Sequence, residues 1–334
     1  MKIIKLIPFS IALLLLVTNV YGQQKRAQTS MKFLSVSPDA RASGMGDAVT
    51  SLDMGANAAF YNPASMANIE GKYAVTGGVV QWITDINYNS ASFVYKPADG
   101  KFGVFGINAL SVDYGSILAT VVDENSASGY SDVGTISPGG YAFGFSYANS
   151  VTEQFSIGAN FRYANLDLGS AYVDVTSTGY ETESFSAGTG VLDFGILYKT
   201  GFESLNFAMA LRNFSTGVTF AEEETELPLT FKIGLSMNVL DLTNVDSDTH
   251  ALLISVDANR PRDYDEQLLF GAEYSFIDRF MLRGGYGFPK DEEQYSIGGG
   301  IKQPLGSLTL IVNYAYTKFG VFGEVNRFGI QLGF

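Results

Sequence analysis

Arg327-Phe328-Gly329-Ile330-Gln331-Leu332-Gly333-Phe334 closes the sequence, and its reading decides the fold. Successive side chains of an extended strand point to opposite faces. Phe328, Ile330, Leu332 and Phe334 therefore share one face, and Gly329, Gln331 and Gly333 share the other. A large apolar face backed by a small polar one, at the end of the polypeptide, suits a sheet that closes on its own first strand. An amphipathic strand of a soluble sandwich carries the same alternation, so the reading turns on the remainder of the chain.

That alternation recurs throughout residues 72–334. Phe231, Ile233, Leu235, Met237 and Val239 alternate with Lys232, Gly234, Ser236 and Asn238. Leu268, Phe270, Ala272, Tyr274 and Phe276 alternate with Gly271, Glu273 and Ser275. Segments of this kind begin near 73–80 and end at 326–334, most of them about 8–12 residues long, as a tilted membrane-crossing strand requires. Their connections alternate too. Those around Pro97–Gly100, Ser150–Thr152, Gly201–Glu203 and Asp278 are tight, whereas 113–137, 167–190 and 215–228 are long and polar. Short turns at one end and long loops at the other mark a barrel of about 14 strands with both termini at the short-turn, periplasmic end. The expected fold is all-β: an antiparallel transmembrane β-barrel, with a phase slip near Phe105-Gly106-Ile107 that suggests a bulge or kink, read first as a packing irregularity and alternatively as a lateral opening in the wall.

The opposite end of the chain carries an address. Lys2 and Lys5 precede the apolar run Ile11–Val17, and Val20-Tyr21-Gly22 supplies small residues, so residues 1–22 read as a signal peptide cleaved near Gly22. Its removal takes the net charge from −13 to −15. An acidic surface of that kind argues against nucleic acid as a partner. The chain holds no cysteine and a single histidine, His250. Thiol chemistry, a Cys-based metal site and a lipid-anchoring cysteine are thereby excluded, no cofactor is implied, and no catalytic constellation is legible. Trp82, just past the first strand, is expected in an interfacial aromatic girdle. The acidic run Glu222-Glu223-Glu224-Thr225-Glu226 reads as a solvated loop.

Residues 23–71 do not alternate. Ala40-Arg41-Ala42-Ser43 and Ala56-Asn57-Ala58-Ala59 favour short helices, and Pro63 is expected to end the second. Tethered to the first strand, this stretch is expected to fold into the lumen as a short helical plug. Its charges, Asp39, Arg41, Asp47 and Asp53, are placed to pair with the lumen-facing Arg162, Arg212, Lys232, Glu273 and Arg283. Phe33, Leu34, Met45, Phe60 and Tyr61 would surround an apolar pocket beside it.

Two stretches here carry a resemblance. Phe33 to Ala48, with Gly44-Met45-Gly46, and Asn57 to Ala64, with Asn62-Pro63-Ala64, resemble the opening of the PorV/PorQ family, FadL-like outer-membrane barrels of Bacteroidota and relatives. The C-terminal residues Arg327, Gly329, Leu332 and Phe334 likewise resemble the signal read by the barrel-assembly machinery. The resemblance implies an integral outer-membrane protein of the type IX secretion or surface-attachment apparatus. Its partners would be outer-membrane lipid, a translocon or attachment subunits, and exported proteins with a C-terminal sorting domain, bound without catalysis through the loops at 113–137, 167–190 and 215–228. The alternative is a FadL-like passive transporter of hydrophobic small molecules, which needs an apolar inward path.

Overall fold

Period-2 alternation folds as strands because only then does each apolar position reach the same face. The structure, a computed structural model, describes residues 29–123, 126–176, 179–220, 223–290 and 293–334. The signal-peptide reading of residues 1–22 lies outside the described residues. In chain order the strands are β1 (Tyr73–Gln81), β2 (Asn87–Tyr95), β3 (Val104–Asp113), β4 (Ile117–Val122), β5 (Tyr130–Ile136) and β6 (Gly139–Ser150). They continue as β7 (Phe155–Thr176), β8 (Gly179–Lys199), β9 (Asn206–Phe214), β10 (Val218–Phe220), β11 (Glu223–Thr225) and β12 (Thr230–Asn238). The last are β13 (His250–Pro261), β14 (Gln267–Phe276), β15 (Phe280–Phe288), β16 (Glu293–Leu305), β17 (Leu308–Phe319) and β18 (Glu324–Gly333).

All but β4, β5, β10 and β11 close into one antiparallel barrel of 14 strands, in which β18 returns to β1. The seam runs in register from Gln81 opposite Asn326 to Ala74 opposite Gly333. Beyond it the N–H groups of Lys72 and Tyr73 both donate to the Phe334 carbonyl, at 2.8 and 2.7 Å. Closure leaves no strand edge in the wall, the condition for β-structure to sit in hydrocarbon. The outward face carries exposed apolar residues on every side, among them Phe143, Phe161, Leu282, Ile297 and Ile330. At the end that holds the C-terminus, Tyr73 stacks on Tyr95 and packs against Phe334, and His250 lies against Tyr274 and Phe276. These aromatics form part of a girdle, and His250 belongs to it.

Several details depart from expectation. β3 pairs with β2 and with β6 without a register shift, so the bulge and wall opening near Gly106 are absent. The apparent slip arises because Val104, Leu110 and Val112 are apolar yet inward, where they are buried in the interior core. Trp82 continues the inward phase of Ala74, Thr76 and Val80. It packs edge-on against Tyr88 and Phe319 inside the barrel rather than in the girdle. The long connections are not loops but ribbons: β4–β5 occupies 113–137 and β10–β11 occupies 215–228, while β7 and β8 simply continue past the wall with two register shifts. Thr, Tyr and Val recur in these otherwise polar connections, and they are good strand formers. The three ribbons rise from neighbouring strands at the end opposite the termini.

A charge on the outward face tests the wall directly. Ile297→Arg, central on β16, is expected to destabilise the barrel in lipid vesicles by about 2–4 kcal/mol in denaturant titration. Its inward neighbour Ser296→Ala should cost less than about 1.5 kcal/mol.

Candidate functional site

Residues 29–72 thread the barrel from end to end. At the ribbon end the Ser30 N–H donates to the Glu226 carbonyl at 2.9 Å, and Lys32 forms an ion pair with Asp263. At the terminus end Lys96 Nζ donates to the Ile69 carbonyl at 3.1 Å. Between these points lie the α-helix Ala40–Gly44 and the 3₁₀ turns Lys32–Ser35, Gly55–Phe60 and Pro63–Asn68. Asp39 caps the α-helix, its carboxylate accepting from the Ala42 N–H at 2.8 Å and from Asn57 Nδ2 at 2.6 Å. Pro63 opens the last turn instead of ending the previous one. It sits where no N–H is needed, and Asn62 Oδ1 accepts from the Ala64 N–H at 3.1 Å.

What holds this segment is backbone-to-wall contact at inward glycines. A Cβ added to Gly285 would stand 1.9 Å from the Gly46 nitrogen, and one on Gly158 would stand 2.4 Å from that of Ala64. At Gly195 it would meet Asn62 Oδ1 at 1.9 Å, and at Gly271 the Met45 carbonyl at 2.6 Å. The Gly44-Met45-Gly46 and Asn62-Pro63-Ala64 elements thus lie where the wall has no side chain. Asn62 Nδ2 also donates to the carbonyls of Thr50 and Ile196, at 2.9 and 3.1 Å, tying the segment to itself and to β8. Phe33, Leu34, Met45, Phe60 and Tyr61 are almost wholly buried in the core between segment and wall, and of the five Tyr61 lines the cavity at the ribbon end. Each fully buried Leu, Phe or Met contributes roughly 1.5–3 kcal/mol.

The inward polar residues complete the attachment, by the expected pairing at Arg41 and Glu273 and by other contacts elsewhere. Arg41 is bidentate on Glu273, at 2.9 and 2.7 Å, and its third contact is the Asp53 carbonyl at 2.7 Å. Arg283 holds the same Glu273 carboxylate and reaches Asn313 Oδ1 at 2.8 Å. Lys232 donates to the Asp47 carbonyl at 3.0 Å, and Arg212 to the Leu34 carbonyl at 3.4 Å. Arg162 pairs with Asp193 of the adjacent strand at 2.8 Å, so it braces the wall rather than the segment. Arg327 Nε donates to the Ser37 carbonyl at 3.1 Å, and its guanidinium lies over Trp82. Gly329 also faces inward, while Leu332 and Phe334 share the outward face.

The charges respond to this setting. Burial opposes the Arg41 cation, but Glu273 outweighs it and holds the guanidinium more firmly protonated than usual. Burial pushes the Asp39 carboxyl up, despite the Ala42 N–H and the nearby Arg283 and Arg41. Burial acts upward on Asp47 as well, yet Lys290, Lys232 and Arg327 together hold it below the usual carboxylate range.

Asp193, Asp257, Ser296 and Thr317 were not singled out from sequence. Asp257 accepts from Thr50 N–H and Oγ1 at 3.0 and 2.6 Å, and Ser296 and Thr317 bond Gly46 and Ser43. Their signal is an inward phase within an alternating strand, the criterion that found Glu273. Two cavities flank the segment. One of about 590 Å³ at the ribbon end is lined by Trp82, Tyr88, Tyr114 and Phe319 together with Arg212 and Lys232. The other, of about 440 Å³, lies at the terminus end around Arg41, Glu273 and Phe334.

The family model described as type IX secretion system protein PorV matches residues 20–200, more than half of the chain. No curated protein matches. The fold is similar to the Ralstonia pickettii toluene transporter TbuX, with TM-score 0.54 and 14% identity over 88% of this chain and 96% of that one. It is similar also to the Pseudomonas putida toluene transporter TodX, with TM-score 0.54 and 12% identity over 93% of this chain and 98% of that one. A Pseudomonas aeruginosa FadL homologue aligns with TM-score 0.52 and 11% identity over 93% and 99%. At such identities the likeness concerns the fold alone.

Adjacent glycines of β15 separate the effects of backbone contact from those of strand propensity. Gly285→Ala is expected to lower stability by about 1–3 kcal/mol or more by forcing Gly46 off the wall. Gly284→Ala, whose Cβ would meet nothing within 4 Å, should stay within about 0.5 kcal/mol. Glu273→Gln strands two guanidinium groups in the interior and should cost about 3–5 kcal/mol, all three variants being compared by denaturant titration in lipid vesicles.

Proposed function

The chain belongs to the family of the type IX secretion system protein PorV, and on that premise we propose that it serves type IX secretion as a non-catalytic outer-membrane barrel. The short-turn end faces the periplasm and the three ribbons face outward. The barrel docks beside a translocon or a surface-attachment complex and presents the ribbons around 113–137, 167–190 and 215–228 to exported proteins with a C-terminal sorting domain. Recognition is by shape and main-chain hydrogen bonding on a rigid wall. The observation that carries this reading is the family match itself, which spans two of the three ribbons as well as the threaded segment.

Residues 23–71 act as a plug in this reading. With Leu34, Met45, Phe60 and Met66 buried between the two cavities, the interior is suited to supporting a surface, and less to conducting an apolar solute. The 590 Å³ outer cavity favours a second reading, in which a hydrophobic small molecule enters as the names of the toluene transporters suggest for those proteins. Its aromatic wall would suit such a guest, whereas the Arg212 and Lys232 side chains opposite would not.

Affinity purification of the tagged protein from native outer membranes in mild detergent separates the two. Recovery of a large translocon barrel, or of exported proteins sharing a C-terminal sorting domain, is expected. Replacing the β4–β5 hairpin with a short Gly-Ser turn should reduce that recovery without changing the heat-modifiable mobility of the folded barrel. Recovery of the barrel alone with a stoichiometric small hydrophobic ligand would overturn the secretion reading in favour of transport.

A further inference from the structure

The cavity at the ribbon end has two unlike sides. Trp82, Tyr88, Tyr114 and Phe319 come from β1, β2, β3 and β17 or the residue just past them, whereas Arg212 and Lys232 come from β9 and β12. In the closed strand order the two groups stand about half a ring apart. Rings and cations therefore face each other across about 590 Å³ of space, a size ordinary for small-molecule sites. The floor is packed, with Leu34, Met45 and Phe60 buried beneath it.

Charge is left over on the second side. Lys32 pairs with Asp263 and Lys290 with Glu293. Arg327 is held by the Ser37 carbonyl and Thr317, with its guanidinium over Trp82. Arg212 and Lys232 are only 8% and 6% exposed, and neither forms an ion pair among the described residues. Arg212 lies over the Tyr61 ring and donates only across 3.4 Å to the Leu34 carbonyl. Lys232 places one of its three donors on the Asp47 carbonyl. Carboxylates do stand behind them, but Asp193 is taken by Arg162 and Asp257 by Thr50. The Asp47 carboxylate is shared among Lys232, Lys290 and Arg327.

A buried cation without a counter-ion is costly, and an anion laid on it restores the balance. A neutral hydrocarbon would match the rings and leave the cations as they are. A long acyl chain with its head on Arg212 would meet the packed floor, and its tail would have to leave past Asp263 and Asp265. We propose that this cavity binds a compact aromatic carboxylate, its ring against Trp82, Tyr88, Tyr114 and Phe319 and its carboxylate on Arg212 and Lys232. The site goes beyond the secretion reading and stands apart from it, since the ribbons can engage exported proteins with the cavity filled or empty. It also differs from the neutral guest of the transport reading, because the cations are part of the seat.

Trp82 is the single tryptophan of the chain and lies in the cavity wall, so the site carries its own reporter. The protein, folded in lipid vesicles, is titrated with 3-phenylpropionate while Trp82 emission is followed. The comparators are the uncharged 3-phenylpropanamide, propionate and laurate. A saturable change is expected with 3-phenylpropionate, at an affinity about tenfold or more above that for the amide, because a charge-assisted hydrogen bond is lost. Propionate, which has no ring, should bind more weakly than the aromatic acid. Arg212→Gln should weaken binding of the acid about tenfold, leave the amide unaffected, and not lower stability in denaturant titration. An arginine kept only for structure would give the reverse. Tyr114→Ala should weaken the acid several-fold while propionate is unchanged. Equal affinity for acid and amide, tighter binding of laurate, or no saturable change would each overturn the proposal. Folding of each variant is checked by heat-modifiable mobility, and the comparison of acid with amide on the unaltered protein decides even where a variant does not fold.

Discussion

Gly46 and Gly285 bring the backbone of a threaded segment against the backbone of a barrel strand at a distance no side chain would permit. A closed sheet of this size faces a physical choice for its interior, which must be solvated, lined with polar residues, or filled. Here it is filled by main chain, and that choice propagates outward. Contact at main-chain distance requires glycine in the wall wherever the segment touches, as at Gly158, Gly195 and Gly271. It also brings the segment's carbonyls and N–H groups within reach of inward side chains, which must then satisfy them. The carbonyls of Leu34, Ser37, Asp47 and Ser51 each accept from a wall side chain for this reason.

Electrostatics follow from the same geometry. The cation of Arg41 arrives on the segment and the carboxylate of Glu273 waits on β14, but a second guanidinium, Arg283, already faces it. The cluster carries one more cation than anion, and Asp39 nearby moderates the excess. Buried ion clusters of this kind add little net stability compared with apolar packing, yet removing one member is costly. Their contribution here is positional: a planar carboxylate held by two forks admits one placement of the α-helix.

Much of this was legible before any coordinates. Alternation placed the strands, the tight turns located the terminus end, and Glu273 and Lys232 were read as inward because their phase in the strand is unambiguous. The failures share a cause. Val104, Leu110 and Val112 confused the reading of β3, because an inward residue can be apolar when a protein segment rather than water lies beside it. Trp82 reads as a girdle residue from its place just past the first strand, yet its phase there points inward. Pro63 was read as a stop, although after an Asn cap it begins a turn. The pairings of Arg162 and Arg212 depend on a three-dimensional register between segment and wall, which no one-dimensional spacing encodes. The family resemblance was carried by residues that the structure places against wall glycines, where a change on one side demands a change on the other.

The seam where β18 meets β1 lies one residue beyond the end of the segment, with Lys72 and Tyr73 both bonded to Phe334. This imposes an order of events on biogenesis. A ring already sealed would have to pass forty residues through its bore, against side chains that fit only the finished arrangement. A half-ring presents the same inner face as an open trough. The segment precedes every strand in the chain, so it is available as a mandrel around which the trough bends, and the last strand to be made is the one that completes the hoop. Curvature and contents are thereby set together, and a barrel that closed empty would leave Glu273, Arg212 and Arg327 without the segment groups they bond.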